Sequence, residues 1–242
     1  MQLKKIDIGG LVTPNNVFLA PLAGYTNAVF REMCFNLGAG LTFTEMVSAK
    51  GLCYNSRNTR ELLYITPSYG GIRAVQLFGS DPEYMKRAAE SEDIAPFDLI
   101  DINMGCPVPK IYNNGEGSAL LNDFARARGI IEACKASGKR VSVKFRIGVS
   151  AGKLISSDFA KLCEDGGADM ITVHGRTRDK IYAGKVNFAQ IAAAKAAVKI
   201  PVIANGGVFS EADADELLNE AGADGVMVAR GAMSVSYTHL RA

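Results

Sequence analysis

The sequence predicts an α/β protein of the (β/α)8 TIM-barrel class, and three observations predict it. Eight short apolar runs of strand length recur along the chain, most are followed by a stretch of helical spacing, and polar residues fall repeatedly where those runs end. Strand then helix, repeated, means a parallel sheet. Eight repeats in 242 residues suit one closed barrel better than an open doubly wound sheet, which usually has fewer strands and a dinucleotide fingerprint. No G-x-G-x-x-G follows the first run.

Val17-Phe-Leu-Ala-Pro21 opens the series, and after it Val29, Phe30, Met33, Cys34 and Leu37 recur on one helical face. The second to fifth strands are Leu41–Glu45, Ile72–Leu77, Leu99–Asn103 and Val141–Phe145. Phe159, Leu162 and Cys163 then share a helical face before the sixth strand, Met170–His174. Ile191 begins an Ala-rich helical segment closed by Lys199 and Pro201, and Val202–Asn205 and Gly225–Ala229 complete the eight. In a barrel of this kind catalytic groups come from the carboxyl ends of strands. Glu45, Gln76, Asn103, Lys144 with Arg146, His174 with Arg176, and Asn205 all fall there. Any one of them is simply the polar residue at which a strand surfaces; six strand ends in register argue for a shared polar pocket.

Composition bounds the partners. With 27 Lys and Arg against 25 Asp and Glu the net charge is +2, so the total carries no argument for a polyanionic partner and any basic footprint must be local. Five cysteines (Cys34, Cys53, Cys106, Cys134, Cys163) form no C-x-x-C pair, and with two histidines there is no spaced zinc cluster. The expectation is a cytoplasmic monomer with reduced thiols and no metal. No run approaches ~20 apolar residues and the start has no long apolar h-region, so neither membrane insertion nor secretion is expected. No linker or composition shift divides the chain, which reads as one domain.

Asp101-Ile-Asn-Met-Gly-Cys-Pro-Val-Pro-Lys-Ile-Tyr-Asn-Asn-Gly-Glu-Gly-Ser-Ala-Leu120, at the end of the fourth strand, is the most informative segment. A cysteine held between Gly105 and Pro107 at a strand mouth can present its thiol to a substrate, and the Gly/Asn-rich loop after it can act as a lid. Cys34, Cys134 and Cys163 lie on helix faces and read as inert core.

This segment, with Ala20-Pro-Leu-Ala-Gly-Tyr-Thr-Asn27, Thr44-Glu-Met-Val-Ser48, Gln76-Leu-Phe-Gly-Ser80, Val143-Lys-Phe-Arg-Ile-Gly148, Thr172-Val-His-Gly-Arg-Thr-Arg178 and Pro201-Val-Ile-Ala-Asn-Gly206, resembles the dihydrouridine synthases, flavin enzymes that reduce uridines in transfer RNA. The motifs run in the family's order through almost the whole chain. The resemblance implies that Pro21, Leu22 and Ala23 line an FMN through backbone atoms and that Gln76 bonds the pyrimidine edge of its ring system. By the same resemblance Lys144 sets a positive charge beside the ring and His174 adds a hydrogen bond, while Asn205, Gly206, Gly207, Ala229 and Arg230 hold the phosphate, where barrels commonly bind one. NADPH or NADH would reduce the flavin, hydride would pass from N5 to C6 of uracil, and Cys106 would protonate C5. An ordinary thiol, of pKa about 8.5, is protonated at neutral pH and can serve as that acid. Asn103 is expected at the uracil edge. Arg146, Arg176 and Arg178, with Lys180 and Lys185, are expected to contact phosphates of an RNA lying across the mouth, with the target base extruded from its stack.

Two positions depart from the family pattern: Gly207 stands where an Asp is common, and Ala229 where many members have Gly. The family continues with a closing helix and a helical carboxyl-terminal domain, whereas Ser234–Ala242 does not resemble that continuation. The expectation is therefore a barrel domain over 1–233 that binds FMN, lacking the last helix and the helical domain, and a non-matching tail over 234–242 from a truncated or mis-joined reading frame. Two other readings share the fold or the motifs: a flavin barrel acting on a free small molecule, like dihydroorotate dehydrogenase, and an inactive RNA-binding remnant.

Overall fold

Eight strands close into one barrel in chain order in the computed structural model, which describes residues 2–233. They are β1 (Val17–Leu19), β2 (Leu41–Ser48), β3 (Arg73–Phe78), β4 (Leu99–Met104), β5 (Arg140–Arg146), β6 (Met170–His174), β7 (Val202–Asn205) and β8 (Gly225–Val228). All pair in parallel, and the ring is closed by β8 on β1 through Val226–Val17, Met227–Phe18 and Val228–Leu19. The expected tail over 234–242 lies outside the described residues.

Side chains alternate across each strand, so one set points into the barrel and the other toward the helices. The inward set is layered. Phe18, Leu41, Phe43, Ala74, Leu99, Met170, Ile203 and Met227 form an apolar base. Above them Gln76, Asp101, Ser142 and Thr172 are buried polar groups. An antiparallel pair, Asp7–Ile8 with Leu11–Val12, precedes the barrel and was not foreseen from the sequence, because two-residue strands carry too little periodicity. It sets Ile6 and Ile8 against the apolar base and so stops the amino-terminal end of the barrel.

β2 runs three residues beyond its expected end and carries a bulge between Phe43 and Met46. Thr44 Oγ1 there accepts from Gln76 N at 3.0 Å, replacing a ladder bond, and the Glu45 carboxylate accepts from Gly24 N, tying down the loop after β1.

The outer set packs on helices α1 (Ala28–Asn36), α2 (Ala49–Cys53), α3 (Arg57–Glu61), α4 (Pro82–Ala89), α5 (Pro109–Asn113), α6 (Phe124–Lys135), α7 (Ser156–Asp165), α8 (Phe188–Ala197) and α9 (Glu211–Ala221). Their starts follow ordinary capping chemistry: Asn27, Asp81, Asp123 and Asn187 each accept a first-turn N–H, and Ser210 with Asp213 completes a capping box before α9. Phe159 and Cys163 are buried as expected, with Leu162 half-buried. The face expected on α1 needs correction, since Val29 is 69% and Leu37 59% exposed. The buried residue of that helix is Arg31, whose guanidinium donates to the carbonyls of Thr26 (2.7 Å) and Tyr64 (2.6 Å). Two captured carbonyls dock α1 where the apolar count alone pointed to an oily stripe.

Among the described residues no helix is long and apolar enough to cross a membrane, and no cluster of His, Cys, Asp and Glu could hold a metal ion. Because Ile8 is fully buried in the barrel stopper, Ile8→Ala is expected to lower unfolding free energy by about 2–4 kcal/mol in urea denaturation.

Candidate active site

The carboxyl mouth of the barrel holds a cavity of about 220 Å³. Gln76 from β3, Asn103 from β4, Lys144 from β5, His174 from β6 and Asn205 from β7 reach it from inward positions near the carboxyl ends of their strands. Pro21, Leu22 and Ala23 after β1 form one wall, and Gly206 and Gly207 after β7 with Ala229 and Arg230 after β8 form another. Cys106 stands on the rim beside Pro107 and Val108. Of the residues singled out from the sequence for this mouth, Glu45, Arg178, Lys180 and Lys185 do not line the cavity.

The floor is a hydrogen-bonded row. Asp101, fully buried beneath it, accepts from Ser142 Oγ on Oδ1 and from Gln76 Nε2 on Oδ2, both at 2.6 Å. Gln76 Oε1 accepts from Asn103 Nδ2 at 2.9 Å, and Asn103 Oδ1 accepts from the backbone of Gly105 (3.1 Å) and Cys106 (2.9 Å). Asn103 is thereby largely committed to holding the Cys106 turn, with one amide hydrogen left toward Met46 Sδ. Across the floor, Asn205 donates to Met227 O at 2.7 Å, which turns its Oδ1 toward Lys144 Nζ at 2.9 Å.

Burial and crowding of like charge set the electrostatics. Burial, helped by Arg146, lowers Lys144 to about 8, so its amine is still charged at neutral pH. Burial and then the surrounding Lys144, Arg146, Arg176 and Arg230 hold His174 well below the usual range, leaving a neutral imidazole. Burial pushes the Asp101 carboxyl up to about 6 against the opposing pull of Ser142, Gln76 and Lys144.

The Cys106 thiol is also raised by burial, which outweighs the Val108 backbone hydrogen bond and the charges of Arg146 and Lys144. Its carbonyl accepts from Ser118 N (3.1 Å) and Ser118 Oγ (2.7 Å), closing the lid segment back over the turn. Gly117, at φ +59°, is needed at that contact: a Cβ there would stand 2.9 Å from Cys106 Cβ. Cys134 and Cys163 are buried and strongly raised, in keeping with their reading as inert core.

The expected basic rim needs correction. Arg146 is 3% exposed and is no surface phosphate contact. Its Nε donates to Gly105 O at 2.8 Å, and its Nη1 to Thr177 O (3.1 Å) and Ile181 O (2.8 Å), so it braces the Cys106 turn and the loop after β6 together. Inward alternation on β5 put it there, two residues beyond Lys144. Arg176 donates to Gly184 O at 2.9 Å and lines the cavity near Gly207. Arg178 stacks on Tyr112 of α5 at 3.8 Å, joining the lid to the loop after β6. Lys180 and Lys185 are exposed, as a rim requires.

Tyr182 and Phe209 were missed by the sequence reading. Both line the cavity, about half-exposed, with the Arg230 guanidinium over their rings at 4.4 and 5.7 Å. An aromatic within the polar loop of Lys180–Lys185 was the available signal for Tyr182.

The donor set suits an FMN. Among the described residues no carboxylate lines the cavity, while one lysine and three arginines do, which favours a ligand carrying phosphate and a ring that becomes anionic on reduction. Gly206 (φ +120°) and Gly207 (φ +76°) let the backbone turn tightly at that wall, and a Cβ on Gly206 would lie 2.8 Å from His174 Cδ2.

Residues 18–236 match the family model described as "Dihydrouridine synthase (Dus)". The chain belongs to the dihydrouridine synthase family. It is 40% identical over 228 residues to a "Probable tRNA-dihydrouridine synthase" of Rickettsia bellii (strain RML369-C), covering 94% of this chain and 70% of that protein. It is 39% identical over 228 residues to "tRNA-dihydrouridine synthase B" of Pseudomonas aeruginosa, covering 94% of this chain and 68% of that one. Among solved structures it resembles a histamine dehydrogenase from Rhizobium sp. 4-9 with TM-score 0.71 at 13% identity, over 98% of this chain and 48% of that one. A variant of NCR from Zymomonas mobilis aligns with TM-score 0.65 at 20% identity, over 93% and 85%. At those identities the structures speak for the barrel alone.

Two outcomes follow for this dihydrouridine synthase family member. Arg146→Ala strands three carbonyls and is expected to cost about 3 kcal/mol in urea unfolding. The slope of RNA affinity against salt should stay unchanged in that variant, because a buried brace neutralises no phosphate. Alkylation of Cys106 by iodoacetamide, followed by peptide mapping against pH, should show a midpoint above that of an ordinary cysteine; a midpoint at or below it would contradict the dominance of burial.

Proposed function

We propose that this chain reduces the C5–C6 double bond of uridine in transfer RNA to 5,6-dihydrouridine, with FMN as cofactor and NADPH or NADH as reductant, in the cytoplasm. Residues 1–233 then form the FMN-binding catalytic domain. The observation that carries the reading is a cationic cavity lined by no carboxylate among the described residues, at the mouth of a barrel of this family, with a protonated thiol on its rim.

FMN, reduced by the nicotinamide nucleotide, supplies the hydride for C6 of uracil. Everything else falls to the chain. Gln76 and Lys144 hold the ring system from the floor, Lys144 offsetting negative charge beside it, and neutral His174 offers a hydrogen bond without adding a further cation. Pro21, Leu22 and Ala23 line its edge. Asn205, Gly206, Gly207, Ala229 and Arg230 hold the phosphate, with Arg176 beside them. Arg146 keeps Nη2 free of the carbonyls its other nitrogens serve and, with the remaining N–H of Asn103, is placed to meet the polar edge of the uracil. Cys106 donates the proton to C5 from its Sγ. The thiolate left behind lies near Arg146 and Lys144, whose charge eases its formation until water returns the proton.

The test is the visible spectrum of the purified chain, release and identification of bound flavin, and dihydrouridine formed on transfer RNA lacking the modification. Bound FMN with RNA turnover supports the reading; equal turnover of free uridine would favour a small-molecule reductase. Cys106→Ala should retain flavin and lose about 10²–10⁴-fold in turnover. With Lys144 lowered to about 8, turnover should fall as pH rises through that value, since the amine loses its charge there while the raised thiol keeps its proton. A pH–rate profile rising across pH 8 to 9 would count against both assignments.

A further inference from the structure

We propose that Asp101 is the positioning residue of this site: its carboxylate sets the direction of a hydrogen-bond chain that runs through Gln76 and Asn103 to the backbone N–H of Cys106. Asp101 does not line the cavity, so it meets no ligand itself. It sits fully buried one inward position below Asn103 on β4, facing Ser142 on β5 and Gln76 on β3, with the charge of Lys144 nearby.

The argument is one of polarity. An ionised carboxylate only accepts hydrogen bonds, so both of its neighbours must present donors, and they do, Ser142 Oγ and Gln76 Nε2 each at 2.6 Å. A primary amide has one donating end and one accepting end. With its nitrogen held on Asp101, Gln76 must turn Oε1 toward β4, where Asn103 Nδ2 meets it at 2.9 Å. That fixes the second amide: Asn103 Oδ1 faces the loop and accepts from Gly105 N and Cys106 N at 3.1 and 2.9 Å. Reversing Gln76 would set its oxygen against the carboxylate, and reversing Asn103 would set its NH2 against two backbone N–H groups. One acceptor-only group thus decides which atoms two amides show to the cavity and how firmly the cysteine turn is held. An Asn at 101 has both a donor and an acceptor, so the buried end no longer enforces the direction and only the two loop N–H groups on Asn103 oppose its reversal.

Stability does not explain the carboxylate. A carboxyl raised by burial favours folding while protonated and forfeits that contribution as pH rises from its ordinary 3.8 through about 6, so at neutral pH its charge weighs against the fold.

The test compares wild type, Asp101→Asn, Ser142→Ala and the double variant Asp101→Asn/Asn103→Asp, each as the full chain at pH 7.5. The readouts are Tm, the iodoacetamide alkylation rate of Cys106 by peptide mapping, and kcat and KM on transfer RNA. Asp101→Asn should keep or raise Tm while changing the Cys106 rate by at least about threefold, one hydrogen bond's worth, and kcat should fall with little change in KM. Ser142→Ala removes a bond but keeps the acceptor-only group, so Tm should drop and the Cys106 rate hold. The double variant places an acceptor-only group directly on the loop and should return the Cys106 rate toward wild type. Loss of folding in Asp101→Asn, an unchanged Cys106 rate there, an equal change in Ser142→Ala, or no return in the double variant would each overturn the proposal. The kinetic effect rests on the uridine-reductase reading. The alkylation result does not: rates that shift as expected in a chain with no turnover on RNA would sink that reading and leave this one standing.

Discussion

Closure of the parallel sheet, through the pairing of β8 with β1, is the constraint on which the remainder depends. A closed parallel ring points every carboxyl end the same way, and alternation along the strands then delivers the inward side chains near those ends to one mouth. Gln76, Asn103, Lys144, His174 and Asn205 come from five strands and share a cavity for that reason alone. The same alternation explains Arg146: it follows Lys144 on the inward side and becomes a buried brace for two loops.

The interior passes from oil to charge over a few layers. Phe18, Leu41, Phe43 and Leu99 fill the base, stopped from below by Ile6 and Ile8, and above this base sit a buried carboxylate and a half-buried lysine. Those charges are unfavourable for folding and are held by short hydrogen bonds to Ser142, Gln76 and Asn205. At the mouth the balance is cationic, which together with burial keeps the histidine neutral, while burial, against the pull of that charge, keeps the Cys106 thiol protonated. One environment thereby suits both an anionic ligand and an acid.

Much of this was legible in the residues. All eight strands lie within a few residues of where the apolar runs put them, because a parallel strand buried on both faces reads as a continuous run ended by a polar group. The motif around Cys106 marked the thiol because Gly105 and Pro107 forbid regular structure on either side. The amino-terminal hairpin was not legible, two-residue strands being below any period. The face of α1 misled because Arg31 docks that helix by capturing carbonyls, an interaction with no hydropathy signature. Tyr182 and Phe209 escaped for a related reason: their place follows from where two loops fold over the mouth.

What the sequence by itself determined is the order of strands, the positions at which polar side chains leave them, and the family to which those motifs belong, since local patterns of burial and turn chemistry carry that information along the chain. Tertiary structure alone decided which of those polar groups face a ligand and which face each other. Asp101, Gln76 and Asn103 are separated by up to 27 residues in sequence and by hydrogen-bond distance in the barrel, and the direction of an amide or the charge of a half-buried lysine depends on the neighbours that closure brings. Arg146 and Arg178 look alike as cations in a sequence, yet one is sealed among carbonyls and the other lies on a tyrosine ring, because alternation and loop packing, both three-dimensional facts, set the solvent each one sees.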